Sequence, residues 1–228
     1  MSDDTGPVRG SPSALPSSGR WALQLAIALT VVYVVLDAIA QLLPPHYSPI
    51  TQAESDLAVG PFGYVMTVNF VVRGLLTLSF LLGLGATTSI ARRSPVGVGL
   101  LGVWALGAFV LAAFPTDVGT GPTVHGSIHL VTAVVAFIAG AVGTLLLSLQ
   151  FEHEPRLAPL RTTALVLSIL SVLALLVLFV GDVRPRIGDE VGGLLERVFL
   201  GLVLLWMAWV AFGLLHSDPA PVAVAAPS

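Results

Sequence analysis

Hydrophobic positions along this chain gather into six blocks, near residues 21–43, 62–85, 95–114, 124–149, 160–180 and 194–215, with short polar segments between them. Each block approaches the roughly 20 residues that a helix needs to cross a bilayer. Pro44-Pro45, Pro61, Pro95, Pro115, Pro122 and Pro159 stand at the block ends, where a residue without an N–H disturbs a helix least. The pattern predicts an all-α fold, a polytopic membrane bundle of six transmembrane helices over residues 20–216. Residues 1–19, rich in Ser, Pro, Gly and Asp, and residues 217–228, rich in Ala and Pro, bury too little apolar surface to fold and read as disordered cytoplasmic tails.

Composition supports the membrane class. With 55% hydrophobic and 10% charged residues and a mean hydropathy of +0.93, the chain has too little polar surface to cover a soluble core. Its 228 residues leave room for one bundle and no second domain. The absence of cysteine excludes disulfides and thiolate chemistry. The formal net charge is -3 and all ten basic residues are arginine; no basic stripe suggests nucleic acid, so the expected surroundings are membrane lipids.

Arginine placement predicts orientation. With the N-terminus inside, the cytoplasmic side receives Arg9, Arg20, Arg92, Arg93, Arg156 and Arg161, and the outside receives Arg184 and Arg186. Both termini are then cytoplasmic in the cell membrane, and the acidic segments around Glu54 and Asp56, Asp117, and Asp182 to Glu190 face outward. Ala38-Ile39-Ala40 resembles a signal-peptidase site, but the long preceding tail and Asp37 favour a retained first helix.

Ionisable residues inside the blocks are costly in hydrocarbon and should face one another or a wet cavity. At helical spacing, Thr30, Tyr33 and Asp37 form one stripe, and Asn69, Arg73 and Thr77 another. His125, His129 and Thr132 share a face with Ala136, Gly140, Thr144 and Ser148, small residues of the kind that let helices approach closely. Counted by helix rise from the outer surface, Asp37, Asn69, His129 and Glu196 converge at roughly 5 to 12 Å depth, with Arg73 nearer the midplane. Arg73 needs a buried anion, and Asp37 or Glu196 is the expected partner. Glu196 and Arg197 lie about 100° apart around their helix, so at most one of them can point squarely at the cluster while the other pairs sideways or snorkels.

The run Phe114-Pro115-Thr116-Asp117 followed by His125-Gly126-Ser127-Ile128-His129 carries a resemblance. With Ser55-Asp56-Leu57, Asn69-Phe70, Gly74 and Glu196-Arg197, it resembles the bacterial and archaeal membrane family known as domain of unknown function 998. The likeness spans about residues 21–215 and implies a six-helix fold; it brings no established activity.

Two classes of function fit Asp37, Asn69, Arg73, Asp117, His125, His129, Glu196 and Arg197. One is a binding or relay site for a small molecule, lipid head group or proton in a carrier, sensor or assembly factor. In that case the histidines tie helices together through hydrogen bonds, and Arg73 is either a structural clamp or the counter-ion of an anionic group. The other is a lipid hydrolase in which His125 and His129, four apart on one helix, hold a divalent metal such as Zn with Asp117 or Glu196 as third ligand. That scheme resembles seven-helix ceramidase-like hydrolases, which draw His and Asp from several helices, whereas both histidines here share one. Glu152-His153-Glu154 reads as a solvated turn, and Ser168 and Ser171 as helix-to-helix hydrogen bonders.

Overall fold

The computed structural model describes residues 15–119, 121–183 and 185–217, with backbone alone at 182, 183 and 185–189. The described residues form α1 (Ser17–Leu42), α2 (Gly63–Thr87), the short α3 (Ile90–Arg93), α4 (Pro95–Ala113), α5 (Val124–Leu149), α6 (Arg161–Val183) and α7 (Pro185–His216), and contain no strand. Six segments are long and apolar enough to span a membrane. Neighbouring helices pack in chain order, α1 on α2, α2 on α4, α4 on α5, α5 on α6 and α6 on α7, and α7 closes on α1. The α1–α7 and α5–α6 junctions are the loosest in this ring, while α2 and α5 each also touch α7 across the middle.

Boundaries differ from expectation at two places. The expected N-terminal tail gives way to α1 at Ser17; residues 1–14 and 218–228, most of both expected tails, lie outside the described residues. The expected loop over 182–193 is helical except at 184, which is not described. Gly193 in this helix allows a close approach: a Cβ there would collide with the Gln52 carbonyl of the first loop.

The small-residue face of α5 packs inside the bundle. Ala136, Thr144 and Ser148 are buried, and Gly140 lies flat against Trp104 of α4, where a Cβ would come within 2.6 Å of the indole. Trp104 in turn meets Phe137 and Phe199, each with ring centroids 6.0 Å away. Ser148 accepts a 2.8 Å hydrogen bond from Trp206 Nε1 of α7. Gly140→Leu therefore forces a branched side chain into a filled contact and is expected to lower the melting temperature in detergent by several degrees. An unchanged melting temperature would place this face against lipid.

Two polar expectations are corrected. Ser168 and Ser171 donate to carbonyls of their own helix, Leu165 and Ser168, instead of bridging helices; hydroxyls commonly satisfy themselves this way on a helix. In the Glu152-His153-Glu154 turn, Glu152 and His153 are exposed, but Glu154 is 8% exposed. It accepts from the Ser89 backbone N–H at 2.8 Å and the Ser89 hydroxyl at 2.6 Å, tying the α5–α6 connection to the start of α3.

Candidate functional site

The segment joining α1 to α2 folds back over the bundle end and inserts a 3-10 turn, Glu54–Ala58. Glu54 is 2% exposed. The Tyr33 hydroxyl of α1 donates to Glu54 Oε1, and the Glu54 backbone N–H donates to Glu196 Oε2 of α7 at 3.0 Å. Glu54, assigned by sequence to an outward acidic loop, thus belongs to the interior. The signal for it was Tyr33, whose hydroxyl on the inward stripe needs a partner that its own helix cannot supply.

Arg197 fastens the same loop. Its Nη2 donates to the Tyr47 hydroxyl at 2.6 Å, and its Nη1 donates to the carbonyls of Pro49, Gln52 and Gly193 at 3.2–3.3 Å. The guanidinium carbon stands 5.2 Å from the Tyr47 ring centroid. Asp37 Oδ1 of α1 lies 3.9 Å from Nη2. Arg197 is therefore the sideways-pairing member of the Glu196-Arg197 dipeptide, and its anion is Asp37.

This arrangement corrects the pairing expected for Arg73. Among the described residues no salt bridge joins Arg73 to Asp37 or Glu196: Asp37 goes to Arg197, and Glu196 accepts from the Glu54 backbone. Arg73 is 1% exposed and its guanidinium carbon lies 5.2 Å from the Phe70 ring and 5.0 Å from the Trp104 ring. Its Nε and Nη2 have no hydrogen-bond acceptor. The packing of two aromatic faces fixes the guanidinium on its own helix, beyond bonding reach of carboxylates already engaged elsewhere. Asn69, one turn earlier on α2, is fully buried with Oδ1 unpartnered.

The α4–α5 corner explains the Phe-Pro-Thr-Asp and His-Gly-Ser-Ile-His runs. Asp117 accepts from the Thr123 N–H at 2.8 Å and the Thr123 hydroxyl at 2.7 Å, while Thr123 caps α5 by accepting from the Gly126 N–H at 3.0 Å. A Cβ on Gly126 would collide with the Asp117 carboxylate, so this position has room only for glycine. The two Thr123 bonds, backbone first, hold the Asp117 carboxyl below its ordinary range. The histidines diverge. His129 is 3% exposed with Nδ1 2.7 Å from the Phe114 carbonyl; His125 is exposed and packs edge-on against the Phe114 ring at 5.4 Å. Among the described residues no group of three His, Cys, Asp or Glu is arranged to hold a metal ion.

A cavity of about 470 Å³ lies between these elements, with Arg73, Glu196 and His129 in its wall, Asp56 of the first loop beside them, and Phe137 and Leu178 among its apolar lining. It brings together three of the residues expected to converge. Asp37, Asn69, Asp117, His125 and Arg197 do not line it; Arg197, paired with Asp37, holds the first loop, and Asp117 holds the start of α5.

Burial holds the Glu54 carboxyl above its ordinary value of 4.5, the nearby Asp37 adding to this and Arg73 and the Tyr33 hydroxyl opposing it. Folded Glu54 thus keeps its proton to higher pH than unfolded Glu54, so its contribution is most favourable below the ordinary value and is lost as pH rises through the raised one. Melting temperature in detergent is expected to fall more steeply from mildly acidic to alkaline pH in the native protein than in Glu54→Gln. Parallel curves would contradict this.

Six apolar helices around a buried polar centre define a multi-pass membrane protein. A family model described as Protein of unknown function (DUF998) matches residues 26–213, and the chain belongs to that family. No curated protein and no solved structure matches it.

Proposed function

We propose that this protein binds a small amphiphilic molecule or lipid head group in the cavity bordered by Arg73, His129, Glu196 and Asp56. The observation that carries the proposal is the mixed wall of that cavity: a few charged side chains together with Phe137, Leu178, Leu130 and Val134. A wholly structural polar core would close on itself, whereas pockets that hold ligands combine an apolar lining with a few convergent polar groups. With the arginine-rich ends of the helices on the cytoplasmic side, the cavity mouth under the first loop faces outward. Asp37 and Arg197 then act on the ligand indirectly, by fixing the loop that roofs the site.

Ala133 lines this cavity and is partly buried, so Ala133→Phe fills the space without removing a charge. Native mass spectrometry of protein extracted in mild detergent is expected to show a retained amphiphile on the native chain and its loss from Ala133→Phe. Equal retention by both would contradict the proposal.

A further inference from the structure

The inner end of the cavity indicates what kind of head group it takes. Arg73 lines the cavity, is 1% exposed, and leaves its Nε and Nη2 without an acceptor. Buried donors left unmet are costly, and a charged donor more so. Of the carboxylates that share the cavity, Glu196 has one oxygen committed to the Glu54 backbone, and Asp56 stands in the first-loop turn.

Charge balance narrows the ligand further. An oxyanion alone would meet Arg73 but bring no donor to the carboxyl oxygens of Asp56 and Glu196, while a cation alone would leave Arg73 unpaired. A head group carrying both signs satisfies both ends. On the α5 wall of the cavity, Leu130 is 65% exposed and Val134 is 36% exposed, at positions about 9 and 15 Å along α5 from Val124 by helix rise. Within a bilayer that wall meets acyl chains, at the loose α5–α6 junction.

We infer, resting on the amphiphile reading above, that the ligand is a zwitterionic lipid whose phosphate or carboxylate binds Arg73. Its ammonium lies toward Asp56 and Glu196, and its chain leaves between α5 and α6.

The test uses three compounds with one oleoyl chain, lysophosphatidylethanolamine, lysophosphatidic acid and monoolein, together with free phosphoethanolamine, titrated onto the delipidated full chain by native mass spectrometry. Lysophosphatidylethanolamine is expected to bind tightest, and monoolein at least about tenfold more weakly, the usual scale for losing a charge-assisted hydrogen bond. Arg73→Gln should erase that advantage while leaving monoolein binding in place, and Glu196→Gln should weaken lysophosphatidylethanolamine more than lysophosphatidic acid. Should Arg73→Gln fail to fold, the ranking on the native chain decides alone. Monoolein binding as tightly as lysophosphatidylethanolamine, or lysophosphatidic acid binding tightest, overturns the zwitterion inference and leaves the amphiphile reading intact. If no oleoyl compound binds, or if phosphoethanolamine binds as tightly as its lipid, the amphiphile reading itself fails.

Discussion

Arg197→Met is expected to destabilise the protein by about 3 kcal/mol or more, the scale for removing one partner of a buried ion pair. The side chains of Arg197 and Asp37 are 17% and 19% exposed, so solvent screens the pair only partly. The substitution strands the Asp37 carboxylate, whose Oδ1 accepts no hydrogen bond, and removes four donor contacts to Tyr47, Pro49, Gln52 and Gly193. Adding Asp37→Leu should restore part of the loss, because it removes the stranded charge while the missing loop contacts remain. Thermal unfolding of the two single variants and the double variant in detergent measures the coupling. Strictly additive losses would show that the 3.9 Å approach contributes nothing.

Arg73→Met should act in the opposite direction. If Arg73 were a structural clamp, its removal would leave a carboxylate unpaired and cost several kcal/mol. Its Nε and Nη2 have no acceptor in the fold, so a methionine of comparable length between Phe70 and Trp104 removes unmet donors. The delipidated variant is expected to be as stable as the native chain or more stable, by up to about 2 kcal/mol, and to lose the stabilisation that a bound lipid gives the native chain. Melting temperatures with and without added lysophosphatidylethanolamine separate the two effects. A large loss of stability in the lipid-free variant would return Arg73 to a clamping role.

The helices were legible because bilayer thickness imposes one length on every span, and α4 and α5 begin where Pro95 and Thr123 supply a helix start and a cap. The inward faces were legible for the same reason: helical spacing brings Tyr33, Arg73, His129 and the Ala136 to Ser148 face into the bundle. What periodicity does not encode is the path of a loop. Glu54 sits in a polar segment with no helical phase, yet Tyr33 and Glu196 draw it inside. Once it enters, Arg73 loses the carboxylate expected for it.

Helical spacing likewise does not say how deep each ring of the His-x-x-x-His pair sits. His125 stands one turn nearer the helix end than His129, where α5 has already left the packed core, so one ring is exposed and the other buried. Asp117, a candidate third ligand by sequence, is held by Thr123 at the head of α5. Gly193 accommodates the first loop beside a continuing helix.

The central claim is that Arg73, Glu196, His129 and Asp56 border one ligand cavity inside the membrane domain. An experimental structure of the full chain in lipid tests it most directly. The account predicts an amphiphile between α5 and α6 with its oxyanion on Arg73; a closed cavity with Arg73 paired to Glu196, or Arg73 turned toward bulk lipid, would contradict it.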